Sequence, residues 1–194
     1  NVNSVTTAPS VPNSILIRAL PVATIEIGGP TTFCEGESVT LTANAGIVWR
    51  EKASMSLTRQ QGVGFSIGTK GYIATGVGSA TGKDLWEYDP GTDSWTQKAN
   101  FGGTARVGAI GFSIGTKGFV GTGFDGAYRK DFWEYNPATN SWVQKADFGG
   151  VARWDAVGFS IGSKGSVGTG ENSAGVELKD FWEYDPVLNT WVQK

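Results

Sequence analysis

Three arginines are the first residues of this sequence that suggest a chemistry. Arg59, Arg106 and Arg153 stand at equal intervals along the chain. A guanidinium group is planar and permanently charged, and its fork of donors matches a carboxylate or a sulfate. A ring of three such groups would bind an anionic ligand. The alternative is that they form hydrogen bonds between neighbouring structural units, and the sequence leaves both roles open.

Trp154 and six polar residues are further candidates for ligand binding, because they break an otherwise regular pattern. Trp154 follows Arg153, whereas Gln60 and Val107 follow the two earlier arginines. A position that changes in this way is not required by a shared scaffold, so we expect Trp154 to lie on a surface. The unique polar residues include no recognised nucleophile–base pair, so they predict binding rather than catalysis. They are Asp125, Tyr128, Arg129, Glu171, Asn172 and Glu177.

The composition argues against several kinds of site. The chain has no His, which removes the commonest general base and metal ligand. Its single cysteine, Cys34, cannot form an internal disulfide or a CxxC motif. We therefore predict no metal, no cofactor and no enzyme activity. A net charge of −2 argues against nucleic acid as a partner, and the sequence lacks the run of about 18 apolar residues that predicts a membrane span.

A motif written three times organises most of the chain. It reads KDLWEYDPGTDSW at 83–95, KDFWEYNPATNSW at 130–142 and KDFWEYDPVLNTW at 179–191. A second motif, GFSIG(T/S)KG, begins at Gly64, Gly111 and Gly158. Recurrence at a fixed register predicts that the repeated tryptophans are core residues. The tryptophans at 49, 95, 142 and 191 divide the chain into three periods, 49–95, 95–142 and 142–191.

Alternating apolar residues and turn signals predict four short strands in each period. A total of 29 Gly, with 10 Phe, 8 Trp and 5 Tyr, also favours an all-β protein over a helical one. The connection between the second and third strands is the one that varies in length and chemistry, at 77–82, 124–129 and 171–178. In the second period the predicted strands are 107–114, 118–122, 131–135 and 142–146.

The repeat resembles the kelch motif over residues 49–194. Gly-Thr-Gly at 121–123 stands for the small-residue doublet of that family, followed by Trp133, Tyr135 and Trp142 at similar offsets. The resemblance implies four-stranded blades of a β-propeller. Propellers close with four to eight blades, so three blades imply a longer protein or separate chains that complete one another, for example two copies in a six-bladed ring. Copper-dependent kelch oxidases need His ligands, so the resemblance does not imply that activity.

Residues 1–48 do not share the repeat. The chain begins at Asn1 without Met, which favours a mature or excised segment. We expect an extended lead and then strands at 14–20, 23–27 and 38–43. The stretch ATIEIGGPTTFCEGESVTLTA resembles the opening strands of immunoglobulin-like modules on Bacteroidetes surface proteins, and it implies a partial module. We interpret the first strand as a candidate for pairing with the repeats of the same chain or with another chain; its apolar residues are Ile15, Leu16, Ile17 and Leu20.

These features together predict a non-enzymatic interaction module on a bacterial cell surface or secreted from the cell. The variable loops of the repeats would bind a protein or glycan partner, as an adhesion protein does. One alternative is a self-assembling subunit of an extracellular fibre or surface layer, in which copies of the chain form a homo-oligomer or polymer by exchanging strands. Another is a sugar-active enzyme of the kelch type, although no catalytic constellation supports it.

Overall fold

The computed structural model describes residues 24–27, 41–44, 49–79 and 82–194. The chain divides into two compact units, Asn1–Glu51 and Lys52–Lys194. In the first unit, β1 (Thr24–Ile27) pairs antiparallel with β2 (Leu41–Asn44). These two strands correspond to the predictions at 23–27 and 38–43. The predicted strand at 14–20, with its assembly residues, lies outside the described residues.

The second unit consists of three four-stranded antiparallel sheets, each with its strands in chain order. Two short strand pairs accompany them, β3 (Arg59–Gln60) with β6 (Val77–Gly78), and β13 (Arg153–Trp154) with β16 (Glu171–Asn172). The prediction of an all-β chain is confirmed for the described residues, which contain no helix. Sheet 1 is β4 (Val63–Ile67), β5 (Lys70–Ala74), β7 (Leu85–Asp89) and β8 (Ser94–Lys98). Sheet 2 is β9 (Ile110–Ile114), β10 (Lys117–Gly121), β11 (Phe132–Asn136) and β12 (Ser141–Lys145). Sheet 3 is β14 (Val157–Ile161), β15 (Lys164–Gly168), β17 (Phe181–Asp185) and β18 (Thr190–Gln193).

The predicted four strands per period are therefore present, with one boundary that differs clearly. The first strand of sheet 2 begins at Ile110 rather than at residue 107. Gly108 adopts a φ of 58°, which interrupts the extended backbone. The strand before the variable loop ends for a similar reason, because Thr122 has a φ of 56° and Gly123 a φ of 97°.

The core lies between successive sheets, where side chains of one sheet face glycines of the next. A Cβ atom placed on Gly118 would overlap the ring of Phe65. A Cβ atom on Gly165 would overlap the ring of Phe112 in the same way. The last glycine of the GFSIG(T/S)KG motif thus permits the close approach of the preceding sheet in sheets 2 and 3.

The fourth strand of each sheet carries a tryptophan that fixes the outer edge. Trp142 lies opposite Tyr135 with ring centroids 5.0 Å apart. Its indole N–H donates to the carbonyl of Ala99 at 3.1 Å. Trp191 and Trp95 make the equivalent contacts. Trp49 does not, and the prediction that it is a core residue is wrong: it is 97% exposed, because no KD-x-WEY strand precedes it in the sequence to pair with it.

Candidate functional site

The three arginines, for which the sequence leaves open either ligand binding or hydrogen bonds between structural units, form internal ion pairs. Arg153 is completely buried, and its two terminal nitrogens donate to the two carboxylate oxygens of Asp180, each at 2.7 Å. Arg106 pairs with Asp131 at 2.6 and 2.8 Å, and Arg59 pairs with Asp84. Because these donors are occupied within the fold, the anion-binding hypothesis is not supported. Hydrogen bonding between structural units describes these residues better.

Arg106 and Arg153 each join two neighbouring sheets. The side chain of Arg106 donates to the carbonyl of Thr122 at 2.9 Å in its own repeat. Its backbone carbonyl accepts the N–H of Gly76 from the preceding repeat at 2.8 Å. The guanidinium also lies 4.9 Å from the ring centroid of Phe101. One arginine therefore satisfies groups from both sides of an inter-sheet junction.

The aspartates of these pairs were missed as arginine partners by the sequence reasoning, although they recur in every Lys-Asp pair before the third strand. Asp131 also accepts the indole N–H of Trp133 at 2.7 Å. Burial by itself would raise the pKa of Asp131, but the hydrogen bonds from Arg106 and Trp133 outweigh it and lower the pKa. The signal was the joint recurrence of Arg, Asp and Trp at one register.

The variable loop 124–129 is held by Asp125. Its carboxylate accepts from Arg129 Nε at 2.8 Å, from the Ala127 N–H at 3.2 Å and from the hydroxyl of Thr104. Burial alone would raise the pKa of Asp125, but these hydrogen bonds together lower it to about 2. Asp125 and Arg129, both predicted as ligand-binding residues, thus pair with each other within the loop.

This arrangement predicts a loss of stability in acid. The pKa of Asp125 is about 2 in the folded chain, against 3.8 for a free aspartate side chain. Because the folded pKa is the lower one, its contribution to stability is complete above about pH 4 and is lost as the pH falls towards 2. We expect the melting temperature of the Asp125→Asn variant to decrease less than that of the unsubstituted chain as the pH falls from about 4 towards 2. Asp147→Asn, which removes an exposed carboxylate, is the control and should leave the fall unchanged.

Three aromatic rings from two repeats form a cluster beside this loop. Phe124 and Tyr128 belong to loop 124–129, and Trp154 belongs to β13. The ring centroids are 5.3 Å apart for Phe124 and Tyr128, 5.9 Å for Phe124 and Trp154, and 6.4 Å for Tyr128 and Trp154. All three side chains are partly exposed. We call Phe124, Tyr128 and Trp154 the aromatic cluster. Trp154 and Tyr128 were predicted from sequence, but Phe124 was missed because Phe is common throughout the repeats.

Acidic groups from the next variable loop border the aromatic cluster. The hydroxyl of Tyr128 donates to Glu171 Oε1 at 2.9 Å, and this hydrogen bond raises the pKa of Tyr128. Glu177 lies opposite Glu171 across a β-bridge. Asn172 has a structural part, because its side-chain oxygen accepts the N–H groups of Ala174 and Val176. The two predicted loops are thus brought together by a contact that links successive repeats.

A cavity of about 410 Å³ opens at this point. The indole nitrogen of Trp154 is buried and has no hydrogen-bond partner among the described residues. An apolar ring surface next to carboxylate acceptors suits a ligand with hydrogen-bond donors on one side and an apolar face on the other. The lining residues are Trp154, Asp155, Thr169, Gly170, Glu171, Glu177 and Leu178.

Neither metal binding nor membrane insertion gains support from the described residues. Within the described ranges, no three His, Cys, Asp or Glu side chains form a group that could hold a metal ion. The same part of the chain has no helix with the length and apolar character needed to cross a membrane.

Comparison with known proteins gives a likeness of fold. No family model matches the chain, and no curated protein matches it. The solved structure of YjhT aligns with a TM-score of 0.63 at 20% sequence identity, over 73% of this chain and 53% of that one. The chain therefore spans about half the length of that structure. A likeness at this identity shows the fold alone.

Proposed function

We propose that this chain is a non-enzymatic interaction module of the kelch-propeller kind, located outside the cell. The observation that carries the proposal is the aromatic cluster beside Glu171, which variable loop 124–129 and Trp154 of β13 form on a repeated scaffold. The repeats supply the same framework, whereas the loops and the position of Trp154 differ from repeat to repeat. Binding sites are commonly placed on loops that a rigid framework positions.

The chemistry of the site favours a glycan or a protein segment that has both an apolar face and hydrogen-bond donors. Trp154 and Tyr128 offer ring faces, on which the apolar side of a sugar or of a side chain can stack. Glu171 and Glu177 are carboxylates, which accept hydrogen bonds from hydroxyl or ammonium groups. The preferred ligand therefore carries donors along one edge and an apolar surface along the other.

Catalysis has less support than binding. The polar groups of this site are carboxylates, amides and a phenol, and the structure pairs Asp125 with Arg129 and Tyr128 with Glu171. A hydrolase would need an acid and a base in different environments. The alternative of assembly by strand exchange depends on residues 15–20, which lie outside the described residues.

The test is a glycan-array and peptide-array screen, followed by calorimetry with the best glycan or peptide. We expect Trp154→Ala to weaken binding at least tenfold, because a buried aromatic contact at the centre of an interface contributes about 2 kcal/mol or more. Trp49→Ala is the matched control, since Trp49 is 97% exposed and lies in the other unit. Equal affinity of the two variants would place the binding site elsewhere, and turnover of an array sugar would contradict the non-enzymatic proposal.

A further inference from the structure

Sheet 3 has an apolar face that is exposed, whereas the equivalent face of sheet 2 is buried. Val157, Phe159 and Ile161 of β14 are 56%, 39% and 69% exposed. The equivalent residues of β9 are only 2%, 4% and 9% exposed. The two strands share the same alternation of side chains, so the difference lies in their neighbours. Sheet 3 covers this face of β9, whereas β14 contacts sheet 2 through its other face and no described sheet covers its apolar face.

Sheet 1 presents the matching surface at the other end of the series. Its glycines, Gly64 and Gly71, occupy the positions that accept the preceding sheet in the two later repeats. Among the described residues, a Cβ atom on Gly64 or Gly71 would meet only atoms of sheet 1, at 3.7 and 3.8 Å. A cavity of about 420 Å³ lies on this side, and Met55, Val63, Gly64 and Ile73 are among its lining residues. The described residues thus leave the glycine face open.

The contacts between sheets show what fits each face. Val63 and Phe65 of sheet 1 lie against Gly111 and Gly118 of sheet 2. Ile110 and Phe112 of sheet 2 lie against Gly158 and Gly165 of sheet 3 in the same register. Among the described residues, one interface therefore occurs twice, and each of its two halves has a further copy that no described sheet covers, namely the apolar face of β14 and the glycine face of sheet 1.

We infer that a second copy of this chain docks its glycine face, formed by Gly64 and Gly71, onto the apolar face of β14. Both halves of the interface belong to this chain, so a second copy supplies the complementary surface without any further partner. If two copies dock reciprocally, they bring together six sheets, a number within the range that closes a propeller. The region of YjhT that aligns with this chain makes up 53% of YjhT, so that solved structure contains about as many residues again outside the aligned region.

Sheet 3 differs from sheets 1 and 2 at one aromatic position of this face. Sheets 1 and 2 carry Tyr72 and Phe119 at the position where sheet 3 carries Ser166. The rings of Tyr72 and Phe119 contact Tyr135 and Tyr184 of the next sheet at 5.9 and 5.8 Å. Ser166 offers no such ring, so the exposed aromatic side chains of this face are Phe159 and Phe181, whose ring centroids lie 5.9 Å apart.

The test is the mass of the full chain in solution, measured by sedimentation velocity and light scattering across a concentration series. We expect a dimer, with twice the 20.5 kDa of one chain, that dissociates on dilution. Phe159→Glu removes the apolar contact, and Gly71→Leu fills the glycine face; each should give a monomer. Val187→Glu is the matched control, since Val187 is 89% exposed and lies in a turn away from β14. It should keep the mass of the unsubstituted chain.

A mixing experiment separates specific docking from general effects on solubility or folding. Phe159→Glu keeps its glycine face, and Gly71→Leu keeps its apolar face. Equal amounts of the two monomeric variants should therefore form a one-to-one heterodimer, detected with one variant labelled by a fluorophore. Near-ultraviolet circular dichroism checks that both are folded, and Gly64→Leu replaces Gly71→Leu if the latter is not. The unsubstituted chain forming polymers would also support docking through these faces, provided that Phe159→Glu and Gly71→Leu each abolish the polymers. In that case the copies dock in the same way but do not close a ring.

Three results would overturn the inference. One is a monomeric chain at every concentration, as expected if residues 1–48 of the same chain covered either face. Another is an oligomer or polymer that survives both substitutions, as expected if residues 15–20 joined the copies by strand exchange. The third is the absence of a heterodimer when the two folded variants are mixed.

Discussion

Arg153→Met should lower the free energy of unfolding by about 3–5 kcal/mol, the usual cost of breaking a buried ion pair by removing one partner. Arg153 is completely buried and makes two hydrogen bonds to Asp180 and one to the carbonyl of Thr169. Met fills a similar volume but donates nothing, so the Asp180 carboxylate loses its counter-charge. Urea denaturation followed by tryptophan fluorescence measures the loss.

Arg129→Met is the matched control for this prediction. Arg129 also pairs with an aspartate, Asp125, but its side chain is 42% exposed. Water screens an exposed pair, so we expect a loss below about 1 kcal/mol. The double variant Arg153→Met with Asp180→Leu should recover part of the stability, because no unpaired charge remains. Similar losses for Arg153→Met and Arg129→Met would contradict the role assigned to the buried pair.

Gly118→Ala should destabilise the chain by about 1–3 kcal/mol, the typical cost of adding a carbon atom to a closely packed contact. The new Cβ atom would overlap the ring of Phe65, which is held between two sheets. Gly71→Ala is the control, because Gly71 occupies the same position of an identical GFSIGTKG motif. Its nearest described neighbour, the Cβ of Tyr88, lies 3.8 Å from the added atom.

The measurement compares melting temperatures and urea midpoints of the two alanine variants. Both are made in the Phe159→Glu background, so that self-association through the face of β14 does not contribute. We expect Gly71→Ala to change stability by less than about 1 kcal/mol in either direction, since a glycine without steric demand tolerates alanine. A loss at Gly71 as large as that at Gly118 would show that the backbone conformation of the motif, and not the neighbouring sheet, requires glycine.

The sequence determined the local structure of the repeats. Alternating apolar residues set the strands, and Gly or Asn-Pro signals set the turns, because both depend on residues close together in the chain. The predicted strands of the second period match β9 to β12 apart from their ends. The variable connections were also correctly placed at 124–129 and 171–178, since they are the segments where the repeats differ.

Only the tertiary structure decided which side chains are available to a ligand or a partner. The sequence could not distinguish a free arginine ring from buried pairs, because the aspartate partner lies 25 or 27 residues away along the chain. It singled out Trp154 and Tyr128 separately, but their contact with Phe124 requires a loop of one repeat and the short strand β13 of the next. Likewise, Gly71 and Gly118 end identical motifs, yet only Gly118 has a ring against it. Local sequence sets a strand, whereas the packing of the neighbouring sheet determines what that strand exposes.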